Sequence, residues 1–207
     1  HGEIVDRFVT LINPEIEIPP LITEITGISN EMVMKSPKED SIVDDFLNFL
    51  DKYPLVAHNI HFDEQFLSRI CSKHNKKENS FVKYDTLQLA RSLLFEQPVF
   101  NLSALSDFYG LSAEDAHRAE NDTENTGLIF IELIKELACY PLELISKINS
   151  FVQGTNVPNR HLYVNIAKAL AKKGDLNKGL MDRKEIPNFQ TNMFSHFGSK
   201  NIKLLSA

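Results

Sequence analysis

The stretch Leu55–Leu67, LVAHNIHFDEQFL, constrains this chain more than any other. Leu55-Val56-Ala57 reads as the end of a buried strand. A polar turn, His58-Asn59-Ile60-His61, runs into an amphipathic helix that Asp63 opens, with Phe62, Phe66 and Leu67 on its apolar face. A strand joined to a helix by a short polar turn is the unit of α/β architecture. Open α/β sheets hold ligands beyond the carboxyl ends of their strands, so a carboxylate on the first turn of such a helix stands where chemistry is done. Asp is also favoured at helix N-termini for capping. On this stretch alone, cap and functional carboxylate are equally good readings of Asp63.

The rest of the chain repeats the alternation. Glu3 to Asn13 alternates as a strand, with Ile4, Phe8 and Leu11 among its apolar positions, and stops at Asn13-Pro14. Leu21 to Ile28 reads as a short helix ended by Gly27. Ser29 is placed to cap Asn30–Val33. A longer helix comes after Ser36-Pro37, with Ile42, Val43, Phe46, Leu47 and Leu50 at helical spacing. Phe81–Tyr84 is a strand ending at Asp85, and Thr86–Leu94 a helix. Ser103 is a candidate cap for Ala104–Tyr109, and a long helix runs from Arg118 to Leu137. Strands alternating with helices give an α/β fold with a mixed sheet. Phe8, Phe46, Phe49, Phe66 and Phe130 read as core; His58 and His61 read as turn and surface residues.

Composition shifts after Cys139-Tyr140-Pro141, which divides residues 1–140 from a helical extension over 141–207. The extension holds two helical patterns up to Lys173 and is irregular from Gly174 onward. Hydrophobic residues make up 43% of the chain and charged residues 24%, ordinary values for a soluble globular protein. No apolar run approaches ~18 residues, so no membrane-spanning helix and no membrane partner are expected. Cys71 and Cys139 form neither a disulfide framework nor a zinc-ligand spacing, and fit a reducing, cytoplasmic setting. The net charge of −6 argues against a broad basic surface that grips duplex nucleic acid. It leaves room for a protein that holds a few phosphates through metal ions. No Walker-type Gly-Lys-Ser/Thr occurs, so the chain has no nucleotide-triphosphatase site of its own.

A second stretch has the same character. Ala116–Thr126, AHRAENDTENT, sets a polar cluster ahead of the apolar run Leu128-Ile129-Phe130-Ile131-Leu133-Ile134, with His117 and Asp122 five positions apart. The pair NIHFDEQFL and HRAEND resembles two motifs of the DnaQ-like DEDDh 3′–5′ exonucleases, the family of the DNA polymerase III epsilon proofreading subunit. Three further pieces fit in order: Phe8–Val33, the strand end at Asp85-Thr86-Leu87, and Leu102-Leu105-Tyr109-Gly110-Leu111. The resemblance covers roughly the first two thirds of the chain and implies a ribonuclease-H-like sheet flanked by helices. It implies Asp63 and Asp122 as ligands of Mg²⁺ or Mn²⁺ in a two-metal site, and His117 as general base, a role its pKa of ~6.5 suits. It also implies that Asn59, Phe62, Thr26, Gly27 and Ile28 bind substrate and that Asp85 supports the site. The partner implied is the 3′ end of single-stranded DNA, in the setting of a polymerase subunit or a helicase of the DinG type fused to the module. The segment after residue 140 is similar to the stretch that succeeds the exonuclease module in such helicases.

The family's first motif, an Asp-x-Glu on the opening strand, has no counterpart here. Two divalent ions carry four positive charges, and Asp63 with Asp122 supplies two negative ones. The resemblance therefore implies a partial copy of a longer protein, with little nuclease activity in this chain alone. The alternatives are a catalytically inactive remnant that binds nucleic acid or protein, and a 3′–5′ exoribonuclease of the same family acting on small RNAs.

Overall fold

The computed structural model describes residues 4–78, 80–111, 119–172 and 203–204. Its sheet has three described strands: β1 (Leu55–Ala57), β2 (Lys83–Asp85) and β3 (Lys203–Leu204), in the order β2-β1-β3. β1 is parallel to both neighbours, with Leu55 opposite Lys83 and Lys203, and Val56 opposite Tyr84 and Leu204. Nine described helices surround it: α1 (Pro20–Thr26), α2 (Asn30–Val33), α3 (Glu39–Leu50), α4 (Ile60–Lys73), α5 (Thr86–Leu93), α6 (Leu102–Phe108), α7 (Ala119–Ala138), α8 (Leu142–Val152) and α9 (Arg160–Lys172). This is the α/β fold expected.

β1 is buried along its whole length, and its period of two assigns its side chains to two cores. Leu55 and Ala57 face Leu50 of α3, Ile60, Leu67 and Cys71 of α4, and Phe81. Val56 faces the other way, into the larger cluster of Tyr84, Leu89, Ala90, Leu105, Ile129, Phe130, Leu133, Ile134 and Leu137. Helices thus cover both faces, the arrangement parallel strands require. Ile145 of α8 and Leu162, Tyr163 and Ile166 of α9 belong to that same larger cluster. The helices after residue 140 therefore complete the core that the sheet and α7 begin.

Four expectations are corrected. Residues 4–12 form no strand; a single parallel bridge, Asn13 to Lys38, is the segment's ladder contact. Alternation supplies the side-chain pattern, but a strand also needs a neighbour to take its N–H and C=O groups. The segment is anchored instead by Phe8, whose ring lies 5.7 Å from Phe46 and 5.6 Å from Phe49. Helix α4 begins at Ile60, three residues before Asp63. The cap of α6 is Asn101, whose side chain accepts from the Ala104 N–H at 2.8 Å, not Ser103. Phe66 is 53% exposed rather than core. At about 100° per residue, Phe62 and Phe66 lie more than halfway round α4 from Ile60, while Leu67 and Cys71 return to its buried side.

Candidate active site

The early start of α4 decides where Asp63 goes. Asn59, the residue before the helix, has φ 70° and makes no side-chain cap bond. Asn tolerates the left-handed region, and this residue turns the chain from β1 directly into α4. Asp63 then lies in the first helical turn, about 60° round from the buried Ile60 direction, at the edge of the sheet-facing side. Its pKa is pushed up to about 6, chiefly by burial and further by Asp85, against the lowering effect of its own N–H. No cation among the described residues is part of these influences, and the capping reading of Asp63 falls away because the cap position belongs to Asn59.

Asp85 ends β2 and caps α5. One carboxylate oxygen, Oδ1, accepts from the N–H groups of Leu87 at 2.9 Å, Gln88 at 3.2 Å and Asn59 at 3.2 Å. The last bond ties the two strand-to-helix turns together. Asp85 is 8% exposed, which suits the supporting part expected of it.

A second tie joins the same turns. Thr86, fully buried, donates its hydroxyl to the Ala57 carbonyl at 3.3 Å, and its oxygen lies 2.9 Å from His58 Nδ1. Burial pushes the His58 pKa down, with Asp85 acting against it. His58 is therefore a half-buried strut, while His61 is exposed and lies 2.7 Å from Gln65.

Asp122 lies in the first turn of α7, the helix that packs across β1 and β3. Carboxylates suit that end of a helix dipole. Glu120 and Glu124, two positions to either side and about 160° round the helix from it, both meet Arg7: Nη2 lies 2.6 Å from Glu124 and Nε 3.5 Å from Glu120. His117 lies outside the described residues. Thr26 and Gly27 end α1, with Gly27 at φ 70° and its N–H on the Thr23 carbonyl at 2.8 Å; Thr26 Oγ1 accepts from Ile28 N–H at 3.2 Å. These bonds stay within the segment. Phe62, beside Asp63 in sequence, is 57% exposed.

The structure thus brings Asn59, Asp63 and Asp85 together. It adds two participants that sequence reasoning missed, Thr86 and the buried Asn159, whose side chain grips the Asp85 main chain. Ser/Thr after Asp at a strand end could have signalled the first; nothing local signals the second. Among the described residues the group with metal-ligand spacing is Glu39, Asp40 and His74; Asp63, Asp85 and Asp122 do not form one. Its Glu39 is already met by Lys73 at 2.9 Å and His74 at 2.6 Å, so it reads as an ion-pair staple between α3 and α4. Among the described residues no helix is long and apolar enough to cross a membrane.

The exonuclease family RNase_T matches residues 1–130. The chain is 33% identical over 196 residues to DNA polymerase III PolC-type of Caldanaerobacter subterraneus subsp. tengcongensis, a match covering 95% of this chain and 14% of that protein. It is 33% identical over 153 residues to the 3′-5′ exonuclease DinG of Bacillus subtilis, covering 74% of this chain and 16% of that protein. The chain thus spans about a seventh of the length of these relatives. A solved structure titled Exonuclease X in complex with 5′ overhanging duplex DNA aligns with a TM-score of 0.48 at 23% identity, over 64% of this chain and 75% of that one. With well over half its length matched, this chain belongs to the RNase_T exonuclease family.

Proposed function

We propose that this chain is the module of a metal-dependent 3′–5′ exonuclease that hydrolyses single-stranded DNA ends. The observation that carries the reading is the Asp63 carboxyl, held without a cationic partner among the described residues, beside Asp85 at the carboxyl end of two parallel strands. A half-buried carboxyl whose anion nothing nearby neutralises suits a hard divalent cation, and Mg²⁺ and Mn²⁺ take oxygen donors. Asp63 and Asp122 would hold the metal, which supplies charge neutralisation at the phosphate and an acidified water.

The chain's own residues do the rest. Asn59, turned out at the start of α4, positions the terminal nucleotide. Phe62 offers an exposed ring on which a base can stack. Thr26, Gly27 and Ile28 border the 3′ end, and His117 takes the proton from the attacking water. Asp85 keeps the two turns in register. The relatives' names support the activity and its setting, either in a DNA polymerase III of the PolC type or in a protein of the DinG kind.

Thermal unfolding with and without Mn²⁺ tests the site. A cation at 100 times its Kd adds about 2.7 kcal/mol by linkage, and Asp63→Asn or Asp122→Ala removes that gain. Digestion of 5′-labelled single-stranded DNA tests the activity, for the chain as given and for the chain joined to an Asp-x-Glu strand. The expected result is a ladder shortened from the 3′ end in the joined protein, lost in Asp122→Ala. No Mn²⁺ stabilisation and no digestion by either protein overturns the reading.

A further inference from the structure

Asn159, in the turn between α8 and α9, is entirely buried and has φ 66°. Every polar group it carries is engaged. Its main-chain N–H donates to the Lys83 carbonyl at 3.0 Å, and its carbonyl accepts from Leu162 at 2.9 Å and Tyr163 at 3.3 Å, which starts α9. Its Oδ1 accepts from the Asp85 N–H at 2.9 Å; its Nδ2 donates to the Asp85 carbonyl at 3.1 Å and to Gln88 Oε1 at 3.0 Å. β1 covers one side of β2. On the other side Asn159 acts as a one-residue strand, with its amide closing both main-chain bonds of Asp85.

The grip has a direction. With its peptide fixed, Asp85 points its carboxylate at the Asn59 N–H. Asn59 sets the angle at which α4 leaves β1, and Asp63 comes one turn later. We infer that Asn159 is a positioning residue for Asp63: the α8–α9 turn clamps Asp85, Asp85 clamps the Asn59 turn, and the turn aims the carboxylate that the proposed function assigns to the metal. The inference rests on that reading for its purpose, but not for its mechanics. It also makes the helices after residue 140 part of the site's machinery.

Asn159→Gly is the decisive variant in the full chain. It keeps the left-handed backbone and the N–H to Lys83 and deletes only the amide clamp. Carboxyl NMR titration follows Asp63, and amide exchange follows Asn59. The expected result is an Asp63 midpoint lowered by at least about half a pH unit as water reaches the carboxyl. Asn59 exchange should rise about tenfold as the turn opens locally. Gln88→Ala, which leaves both Asp85 bonds in place, should change neither.

Should Asn159→Gly fail to fold, Asn159→Asp serves, being isosteric. It retains the acceptor for Asp85 N–H and loses the donors while ionised, so its Asn59 exchange, taken relative to wild type at the same pH, should slow again when acid restores one donor. A folded Asn159→Gly with wild-type Asp63 titration and wild-type Asn59 exchange overturns the inference. Neither readout needs metal or substrate. A wild-type chain that ignores Mn²⁺ would therefore sink the proposed function while leaving this result to stand or fall separately.

Discussion

Asp85, the last residue of β2, and Asp63, one helical turn past β1, lie at the same end of one sheet, and they are held in opposite ways. Asp85 Oδ1 accepts three N–H groups and its peptide is clamped by Asn159. Asp63 is half-buried, and the balance of its surroundings favours its neutral form. The difference teaches which carboxylate is available. A carboxylate whose lone pairs are filled by the backbone is structure; one that the fold desolvates without compensation keeps its charge for a ligand.

The largest test of that contrast is Asp85→Ala. It removes a helix cap and leaves main-chain donors unmet, which together should cost about 2–4 kcal/mol in urea unfolding. A loss under about 1 kcal/mol would mean that the three bonds contribute little. Asp63→Asn should act in the opposite direction. The folded-state pKa lies above the unfolded one, so the unfolded chain gives up its proton first as pH rises. The stability this group contributes is fully present below about pH 4 and is lost as pH climbs through about 6. A carboxyl moved that far carries at most about 3 kcal/mol, and screening of a half-buried group reduces it to about 1–2. In the metal-free chain at pH 7, Asp63→Asn should therefore be the more stable protein by that margin, with a flatter profile between pH 4 and 6. A destabilised Asp63→Asn breaks the comparison.

Thr86→Val sharpens it at the second tie between the turns. Losing the bonds to Ala57 and His58 should cost about 1 kcal/mol, read as a lower urea midpoint. The smallest effect is expected for Phe66→Ser, within about 0.5 kcal/mol, because that ring faces solvent. A large loss would mean that the ring has a partner in the fold.

Legibility in the sequence tracks the range of the forces involved. The α/β alternation, β1 and the buried stripe of α7 came through because periodicity is a local signal that packing reinforces. The start of α4 was misplaced by three residues. It depends on Asn59 adopting a left-handed conformation, and an Asn between two histidines announces no such thing. The strand expected over residues 3–13 failed for a different reason, since its pattern was real and its partner was not among the described residues. Asn159 could not have been found at all by local reading, because its partner Asp85 lies 74 positions away. His117, named by the same motif as Asp122, lies outside the described residues and stays a proposal.

The direction of β3 bears on how this protein can be handled. β3 runs parallel to β1, with Leu204 level with Val56. The chain therefore passes Leu204 travelling toward the end of the sheet where β1 gives way to Asn59 and Asp63. Val56, level with Leu204, stands three positions before Asn59, so at ~3.3 Å per residue a fluorophore attached at Leu204 itself lies within about 10 Å of that turn along the sheet. A small probe there would report on ligand entry, and a bulky one would obstruct it. Labels meant to be silent belong instead on exposed positions of α8, such as Ser150.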